Sequence, residues 1–331
     1  MTAEPAPIAL SLGDPAGIGP EIVVGAWRAL QTSGPAFVVV GDAASLARAA
    51  GLGAVKAVAR FADGAAVFAD HLPVLDLPLP APARPGAADP AAAASIIAWI
   101  ERAAALALSG EASAVVTAPI AKAPLYKAGF KFPGHTEFLG ERTGAPEAPV
   151  MMLAAGGLRC ALVTIHEPLA KVSGALSREG IVRVGRTTAE ALKRDFAVAA
   201  PRLAVAALNP HAGEDGALGG EEAAIIAPAV RALQAAGIAA RGPFPADTLF
   251  HPEARKTYDA ALCMYHDQAL IPVKMLDFWA GVNVTLGLPI VRTSPDHGVA
   301  FDIAGKGVAR PDSLIAAVRL AAQIAARRAA G

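Results

Sequence analysis

Short apolar runs alternate along the chain with longer alanine-rich stretches in which apolar residues recur at helical spacing. This alternation predicts an α/β fold with a mainly parallel sheet and helices on both of its faces. Ligands of such sheets bind beyond the carboxyl ends of the strands, and several of the predicted strands end directly on polar residues. The predicted strands cover residues 8–12, 37–40, 114–117, 160–164, 203–208, 260–264 and 282–286.

A proline-rich passage, LPVLDLPLPAPARPGAADP, occupies residues 72–90. Proline fixes φ and lacks an N–H donor, so this passage cannot continue a helix or a central strand. We therefore expect it to be a connector that crosses the surface, without a functional motif of its own.

The composition limits the partners of the chain. Its 331 residues are 54% hydrophobic and 18% charged, which allows one large or two fused α/β units with a substantial core. The 29 Lys and Arg residues balance the 29 Asp and Glu residues, so no overall field attracts nucleic acid or an anionic membrane surface. We therefore expect neither nucleic acid nor a membrane as a partner, and any bound anion must be held locally.

The cysteines and the N-terminus favour a cytoplasmic location. Cys160 and Cys263, the two cysteines of the chain, lie in apolar runs, which is typical of buried thiols and not of a disulfide framework. The opening MTAEPAPIAL has no basic region before its apolar stretch. No later segment stays apolar and uncharged for the roughly 18 residues that a membrane span needs.

A glycine-rich turn, SLGDPAGIGPE, follows the first predicted strand at residues 11–21, and Pro20 suits the first turn of a helix. The N–H groups of such a turn are able to hold an anion at the helix N-terminus. The spacing of Gly13, Gly17 and Gly19 matches neither the dinucleotide fingerprint nor the phosphate loop with its Lys and Ser/Thr. A tight turn without a ligand is an equal alternative.

Three of the seven histidines follow predicted strands: His166 comes after ALVTI, His211 after AVAALNP and His266 after ALCMY. A single histidine at such a position is usually a hydrogen-bonded structural residue. Three imidazoles delivered to one edge of the sheet are typical of a catalytic metal site, because neutral imidazoles bind zinc and similar ions and leave positions open. Nearby carboxylates are candidates to orient these ligands or, for the aspartates, to cap turns: Glu214, Asp215 and Asp267.

A second set of side chains suits an anionic substrate. In FPGHTEFLGER, His135 and Thr136 lie at a glycine turn that opens a helix, where an N-cap is the alternative role of Thr136. Farther along the chain, Lys274 follows the third histidine segment, and Asn283 and Arg292 flank the uncharged run VTLGLPIV. The guanidinium of Arg292 needs a partner, which is either a carboxylate or phosphate of the substrate or an internal Asp or Glu.

The segment SPDHGVAFDIAGKGVARPDS, residues 294–313, resembles the adenosine-binding loop of the isocitrate and isopropylmalate dehydrogenases, where HG and a short spacer precede DIAGKG. The resemblance implies their fold, with two α/β/α subdomains and an active-site cleft between them. Those enzymes bind NAD or NADP without the usual dinucleotide fingerprint. Without the resemblance, a glycine-rich surface loop is the default interpretation. With it, the implied cofactor-binding residues are His297, Gly298, Asp302 and Gly305.

The motifs GDPAGIGPE, TAPIAK, FPGHTEFL, LNPHAGE, PADT, YHDQ, GVNVTLGLP and RTSPDHG occur in this order over nearly the whole chain. Together they resemble the family of 4-hydroxythreonine-4-phosphate dehydrogenases of vitamin B6 biosynthesis. Ala269 and Val299 stand where glycine and threonine are common in that family, and neither replaces a ligand-bearing side chain. The resemblance implies that the metal is held by His166, His211 and His266, and that the phosphorylated substrate is held by His135, Thr136, Lys274, Asn283 and Arg292.

The family oxidises the 3-hydroxyl of 4-phosphooxy-L-threonine with NAD or NADP to 2-amino-3-oxo-4-phosphooxybutanoate, which loses carbon dioxide to give 3-amino-2-oxopropyl phosphate. One divalent ion per site, zinc, cobalt or magnesium, would lower the pKa of the hydroxyl and stabilise an enolate. The general base is expected to be Asp247, Asp267 or Lys274, and the sequence does not rank these three residues.

The resemblance also implies a homodimer with shared active sites. We assign residues 1–135 and 285–331 to one subdomain, which carries the cofactor loop. Residues 136–284 form the central subdomain, which carries the metal ligands.

Several alternatives share parts of this pattern. Related dehydrogenases oxidise other phosphorylated four-carbon acids, such as threonate or erythronate phosphates, or dihydrodiols of aromatic acids. A metal-dependent hydrolase would use the three histidines but not the loop at residues 294–313. A phosphate-binding acyltransferase of related fold would not need the histidines.

Overall fold

The computed structural model describes residues 6–51, 53–132 and 134–330. Residues 1–5, where the sequence predicts no targeting segment, lie outside the described residues. The chain forms two compact units, which are Met1–Pro149 with Leu288–Ala326 (unit 1) and Val150–Gly287 with Arg327–Gly331 (unit 2).

The predicted subdomain boundaries differ from those of the structure. The predicted ones follow residues 135 and 284, whereas the observed ones follow Pro149 and Gly287. The helix His135–Arg142 contacts the helix Ala93–Leu108 of unit 1 and forms an ion pair with it. These tertiary contacts join the segment before Pro149 to unit 1, and the hydrophobic pattern alone does not reveal them.

Unit 1 is a sheet with helices between its strands, and elements are numbered in order along the whole chain. Its strands are β1 (Ile8–Ser11), β2 (Phe37–Gly41), β3 (Val55–Ala57), β4 (Leu72–Asp76), β5 (Val115–Thr117) and β12 (Arg292–Pro295). Its helices are α1 (Gly19–Leu30), α2 (Ala43–Ala50), α3 (Gly64–Val67), α4 (Ala93–Leu108), α5 (Lys122–Lys127), α6 (His135–Arg142) and most of α13 (Asp312–Ala330).

The strands of unit 1 follow the order β3-β4-β2-β1-β5-β12, and every neighbouring pair is parallel. All residues of β1 and β2 are buried, as expected of central strands that helices cover on both faces. The α/β class is therefore confirmed for this unit.

The proline-rich passage is a connector only in its second part. Its first five residues, Leu72–Asp76, form β4 between β3 and β2, so the prediction that this stretch forms no central strand is wrong. Pairing with β2 begins at Val74, so the N–H that Pro73 lacks removes no hydrogen bond to that strand.

One helical stretch, Pro90–Leu108, is long and apolar enough to cross a membrane by length and composition. Glu101 and Arg102 interrupt its apolar sequence. Trp99 and Ile100 are buried, and α4 packs against β1 and β2, so its apolar face contributes to the core of unit 1.

Unit 2 contains the other six strands. They are β6 (Val150–Ala155), β7 (Leu158–Leu162), β8 (Arg202–Ala206), β9 (Ala239–Phe244), β10 (Ala260–Cys263) and β11 (Val282–Leu286). Its helices are α7 (Leu169–Ala175), α8 (Arg178–Phe196), α9 (Ala227–Ala235), α10 (Ala246–Leu249), α11 (Pro252–Arg255) and α12 (His266–Leu276).

The strands of unit 2 follow the order β11-β6-β7-β10-β8-β9. β7, β10, β8 and β9 are parallel, whereas β6 is antiparallel to both of its neighbours. Across both units, all seven predicted strands are confirmed with ends within about two residues. Cys160 and Cys263 are buried free thiols, as expected.

Candidate active site

Two neighbouring strands of unit 1 build a buried positive centre. β12 pairs with β5 so that Arg292 lies opposite Val115, and Nη2 of Arg292 donates a 2.6 Å hydrogen bond to Oγ1 of the fully buried Thr117. Burial lowers the pKa of Arg292 to about 10, and the carboxylate of Glu137 opposes this shift. The guanidinium therefore remains charged near neutral pH.

His135 lies near this guanidinium at the first position of α6. Burial lowers the pKa of His135 well below its usual value, and the positive charges of Arg292 and Lys122 lower it further. The imidazole is therefore neutral at pH 7. Its Nε2 is buried and, within the described residues, has no hydrogen-bond partner. Because a buried polar atom without a partner is costly, this nitrogen points to a bound group that completes it.

We call this cluster the anion pocket, and its members are Thr117, Lys122, His135, Glu137 and Arg292. A methyl group placed on Gly134 would lie 3.8 Å from Nζ of Lys122 and 3.7 Å from Oε2 of Glu137. Thr136 is buried directly after His135. Thr117 and Lys122 did not stand out individually in the sequence, although both belong to the TAPIAK motif.

The loop after β12 is joined to α1 within unit 1. The carboxylate of Glu21 accepts hydrogen bonds from the N–H groups of Gly305 and Gly307, at 3.2 and 2.7 Å. The N–H of Ile18 donates to the carbonyl oxygen of Val299 at 2.9 Å. Glu21 did not stand out in the sequence, where the available signal was an acidic side chain in the first turn of α1.

The glycine-rich turn uses its own N–H groups. Asp14 donates from its N–H to the carbonyl oxygen of Pro119, while Ala16 and Gly17 donate to the carboxylate and the carbonyl oxygen of Asp14. A side chain at Gly17 would meet the carbonyl oxygen of Val299 at 2.8 Å, which explains the glycine. Because these donors are satisfied internally, the structure supports a tight turn without a ligand over an anion site.

All four predicted cofactor residues are exposed on the loop after β12: His297, Gly298, Asp302 and Gly305. Of these, Gly305 lines a cavity of about 330 Å³ in unit 1 together with Glu21 and Arg48. The loop and the turn therefore form the walls of one cavity.

The three strand-end histidines of unit 2 follow neighbouring parallel strands. His166 follows β7, His266 begins α12 after β10, and His211 follows β8, and these strands lie in the sheet order β7-β10-β8. Because parallel strands present their carboxyl ends at one edge, the three residues leave the sheet on the same side.

His166 and His266 lie next to each other, with ring centroids 5.9 Å apart and ring planes at 38°. Oδ1 of Asp267 lies 2.7 Å from Nδ1 of His266, a contact that favours a proton on Nδ1 and a lone pair on Nε2. These three side chains, which we call the histidine group, line a cavity of about 280 Å³ together with Val172 and Tyr265.

His211 lies in a left-handed turn in which residues 211–215 all have positive φ. Non-glycine residues in this conformation cost about 1–3 kcal/mol each and persist only where the surroundings hold them. The buried carboxylate of Glu222 holds the segment that leads into this turn, because it accepts hydrogen bonds from the N–H groups of Leu208 and Asn209 at 2.9 and 2.7 Å. Glu222 did not stand out in the sequence.

The sequence predicts that three imidazoles converge, and the structure brings two of them, those of His166 and His266, next to each other. His211 is exposed, as are Glu214 and Asp215 on the same turn. Across residues 6–51, 53–132 and 134–330, no group of three or more His, Cys, Asp or Glu side chains is arranged to hold a metal ion. His211 lies in the left-handed turn, which begins five residues after Ala206, the last residue of β8.

The remaining predicted residues of unit 2 lie on separate elements. Asp247 is exposed in the first turn of α10, which packs against the turn that carries His211. Nζ of Lys274 lies 5.2 Å from the ring centroid of Phe278. Asn283 lies in β11, and its Oδ1 is buried without a hydrogen-bond partner among the described residues.

Known proteins resemble the chain over nearly its full length. Residues 34–321 match the family described as pyridoxal phosphate biosynthetic protein PdxA. A 4-hydroxythreonine-4-phosphate dehydrogenase of Caulobacter vibrioides is 66% identical over 97% of this chain and 98% of the relative. The crystal structure of an enzyme of the same name from Klebsiella pneumoniae has a TM-score of 0.85 at 40% identity, over 97% and 99% of the two chains. A terephthalate 1,2-cis-dihydrodiol dehydrogenase from Burkholderia xenovorans is less similar, with a TM-score of 0.64 at 30% identity over 96% and 98%.

Proposed function

The chain belongs to the PdxA family of pyridoxal phosphate biosynthetic proteins, and we propose that it oxidises 4-hydroxythreonine 4-phosphate with a nicotinamide cofactor. The observation that carries this proposal is the anion pocket. A buried charged guanidinium and a neutral imidazole without a partner suit an anionic group of a small substrate. Relatives of that name that cover nearly the whole chain support the same substrate.

In the proposed reaction, the 3-hydroxyl of the substrate becomes a ketone while its hydride passes to NAD or NADP. The resulting β-keto acid then loses carbon dioxide to give 3-amino-2-oxopropyl phosphate. Arg292 and His135 bind an anionic group and so hold the substrate in a defined orientation. The family resemblance adds three further proposed substrate contacts, which are Thr136, Lys274 and Asn283.

The histidine group fits a divalent metal ion by its donor chemistry. Two adjacent imidazoles, one of them oriented by a carboxylate, match the pattern of metal-binding histidines in proteins. We propose that His166, His211 and His266 hold one divalent ion, which is zinc, cobalt or magnesium. When bound, such an ion supplies a Lewis acid that favours ionisation of the substrate hydroxyl and stabilises negative charge in the decarboxylation.

The hydrogen bond between Asp267 and His266 supports a positioning role for Asp267. Asp247 and Lys274 then remain as candidates for the base that accepts the hydroxyl proton. Asp247 has the added support that its helix packs against the turn of His211.

The nicotinamide cofactor is proposed to bind at the loop after β12, with contacts from His297, Gly298, Asp302 and Gly305. The hydrogen bonds from Gly305 and Gly307 to Glu21 support this role, because they hold the loop in a defined conformation beside a cavity of about 330 Å³. Binding of a cofactor to a loop that is already ordered costs less conformational entropy than binding to a loop that must first become ordered.

Exposed apolar side chains of unit 2 support a homodimer with shared active sites. Ile271, Met275 and Phe278 are 64%, 83% and 61% exposed along α12 and the turn after it. Contiguous apolar residues at a surface are typical of an interaction site. A cytoplasmic location is proposed from the two buried free thiols.

An oxidoreductase of an aromatic-acid dihydrodiol is the second candidate function, because the terephthalate dihydrodiol dehydrogenase shares the fold. Its substrate would offer a carboxylate to the anion pocket instead of a phosphate. Other phosphorylated four-carbon acids are alternatives within the same reaction. The relatives named above are dehydrogenases, so they support neither hydrolysis nor acyl transfer.

The test is to combine purified enzyme with 4-hydroxythreonine 4-phosphate, NAD or NADP, and zinc, cobalt or magnesium, and to follow the absorbance of the reduced nicotinamide. We expect reduction with this substrate and at least about a hundredfold lower kcat/KM for unphosphorylated 4-hydroxythreonine, which lacks the charged contact. Erythronate 4-phosphate and a terephthalate dihydrodiol serve as controls. Activity with a control but not with 4-hydroxythreonine 4-phosphate would overturn the substrate assignment.

A further inference from the structure

Lys122 lies in the anion pocket, yet none of the roles above includes it. It begins α5 directly after TAPIA and is half-buried. Its ammonium lies beside Gly134 and is close enough to His135 to lower the pKa of that imidazole. An ammonium at this position, near a neutral imidazole whose Nε2 has no hydrogen-bond partner among the described residues, suits an anionic ligand.

The groups of the pocket come from four separate elements. Thr117 ends β5, Lys122 begins α5, His135 begins α6 and Arg292 begins β12. The positive charges of Lys122 and Arg292 both act on the imidazole of His135, while the carboxylate of Glu137 lies near Lys122 and acts on Arg292. The partnerless Nε2 of His135 is a second, independent sign that a ligand belongs there.

We propose that Lys122 is a further substrate-binding residue, whose ammonium and the guanidinium of Arg292 together bind one anionic group of the substrate beside His135. This inference rests on the proposed function. The anionic group is the phosphate or the carboxylate of 4-hydroxythreonine 4-phosphate, because both are oxygen anions that accept charged hydrogen bonds. His135, being neutral, donates a hydrogen bond to the same group without adding charge.

The competing explanation is that Lys122 only balances the charge of Glu137. Both side chains approach the same point above Gly134, so an ion pair between them would satisfy the lysine without a ligand. The two explanations predict different results when the carboxylate of Glu137 is removed. If Lys122 binds substrate, the substitution of Lys122 weakens substrate binding as much in a Glu137→Gln background as in the wild type. If Lys122 only balances the charge of Glu137, the substitution has no effect on substrate binding in that background.

The experiment compares Lys122→Met, which keeps the apolar stem, with Lys122→Arg, which keeps the charge. Lys127→Met is the matched control, because Lys127 is the exposed last residue of the same helix. For each variant, KM and kcat are measured with 4-hydroxythreonine 4-phosphate, together with competitive inhibition by inorganic phosphate and by L-threonine. Calorimetric titration with inorganic phosphate measures binding without turnover.

We expect Lys122→Met to raise the substrate KM about tenfold with a smaller change in kcat, Lys122→Arg to recover most of the loss, and Lys127→Met to match the wild type. Weaker inhibition by phosphate in Lys122→Met assigns the ammonium to the phosphate, and weaker inhibition by L-threonine alone assigns it to the carboxylate. Unchanged KM and unchanged inhibition by both ligands would overturn the proposal, as would an effect that vanishes in Glu137→Gln. If the wild type oxidises none of the substrates, the proposed function fails, and the phosphate titration still decides whether Lys122 binds an anion.

Discussion

The anion pocket of unit 1 and the histidine group of unit 2 differ in how far the protein itself buries and hydrogen-bonds the side chains that are proposed to bind a ligand. Arg292 is 2% exposed and is bonded to Thr117, so its surroundings are already in place. In the histidine group, His166 is exposed, and His266 is oriented by the carboxylate of Asp267, which is itself exposed. His211, the third proposed ligand outside that group, is also exposed.

The physical reason for this difference is charge. A guanidinium is permanently charged, and its burial is tolerated only where the fold supplies hydrogen-bond partners and nearby compensation. A neutral imidazole remains at the surface at little cost until an ion binds it. We therefore expect the anion pocket to be preorganised before its ligand binds, and the histidine group to gain its order from the metal.

Removal of Arg292 should have the largest effect on substrate binding. Arg292→Ala deletes a buried charged donor worth about 1.5–3 kcal/mol, so the substrate KM should rise by about a hundredfold, with a smaller change for the cofactor. Arg292→Lys should recover part of the loss, because it keeps the charge but not the fork of donors. The measurement is steady-state kinetics with each reactant varied. Equal increases in both KM values would remove Arg292 from the substrate pocket.

Substitution of the proposed metal-binding histidines of unit 2 tests whether they hold the ion. His211→Ala should lower bound metal and activity together by about tenfold or more, as should His166→Ala and His266→Ala. His251→Ala is the control, because His251 is exposed in the same unit outside the proposed site. Elemental analysis of the purified variants gives the metal content. Full metal occupancy in His211→Ala would exclude it as a ligand and leave the adjacent pair as the site.

The smallest predicted effect concerns the pH dependence of stability. Because the folded pKa of His135 lies well below 6.5, acidification below pH 6.5 protonates this residue in the unfolded chain but not in the folded one. Its contribution therefore lowers the free energy of unfolding as the pH falls from 6.5 toward the folded pKa.

His135→Gln should remove this contribution, and denaturant unfolding at pH 6.5 and at a more acidic pH measures it. His251→Gln controls for the loss of a histidine elsewhere. A His135→Gln variant with the same pH dependence as the wild type would show that the imidazole is not held neutral in the folded protein.

The hydrophobic pattern predicted most of the apolar strands but missed β6, although its sequence VMMLAA is apolar and largely buried. It also missed strands whose residues are polar or interrupted by proline. β1, β2 and β10 are buried apolar runs, and all three were predicted. β12, with the sequence RTSP, was missed because its burial depends on partners elsewhere in the chain, such as the hydrogen bond from Arg292 to Thr117. β4 was missed because a proline is tolerated in a strand where its position needs no N–H donor for the neighbouring strand, and the sequence does not show that Pro73 lies outside the pairing with β2.

Some residues of the candidate site could likewise be predicted from the sequence, and others could not. His135, Thr136 and Arg292 stood out as polar residues at turns and at the ends of apolar runs, and the structure brings Arg292 close enough to His135 for its charge to lower the pKa of the imidazole. Lys122 and Glu21 did not stand out, because a lysine or glutamate at the start of a helix is ordinary in sequence. The roles of all these residues in substrate, cofactor and metal binding remain predictions.

The sequence by itself determined the α/β class, the seven predicted strands and the family, because these depend on hydrophobic periodicity and on short motifs of residues that are neighbours along the chain. The tertiary structure decided which charges are buried together, how the loop after β12 is held by Glu21, and that His211 lies in a left-handed turn. These features arise from contacts between residues far apart in the chain. Burial and electrostatic compensation are properties of that packing, and no local pattern encodes them.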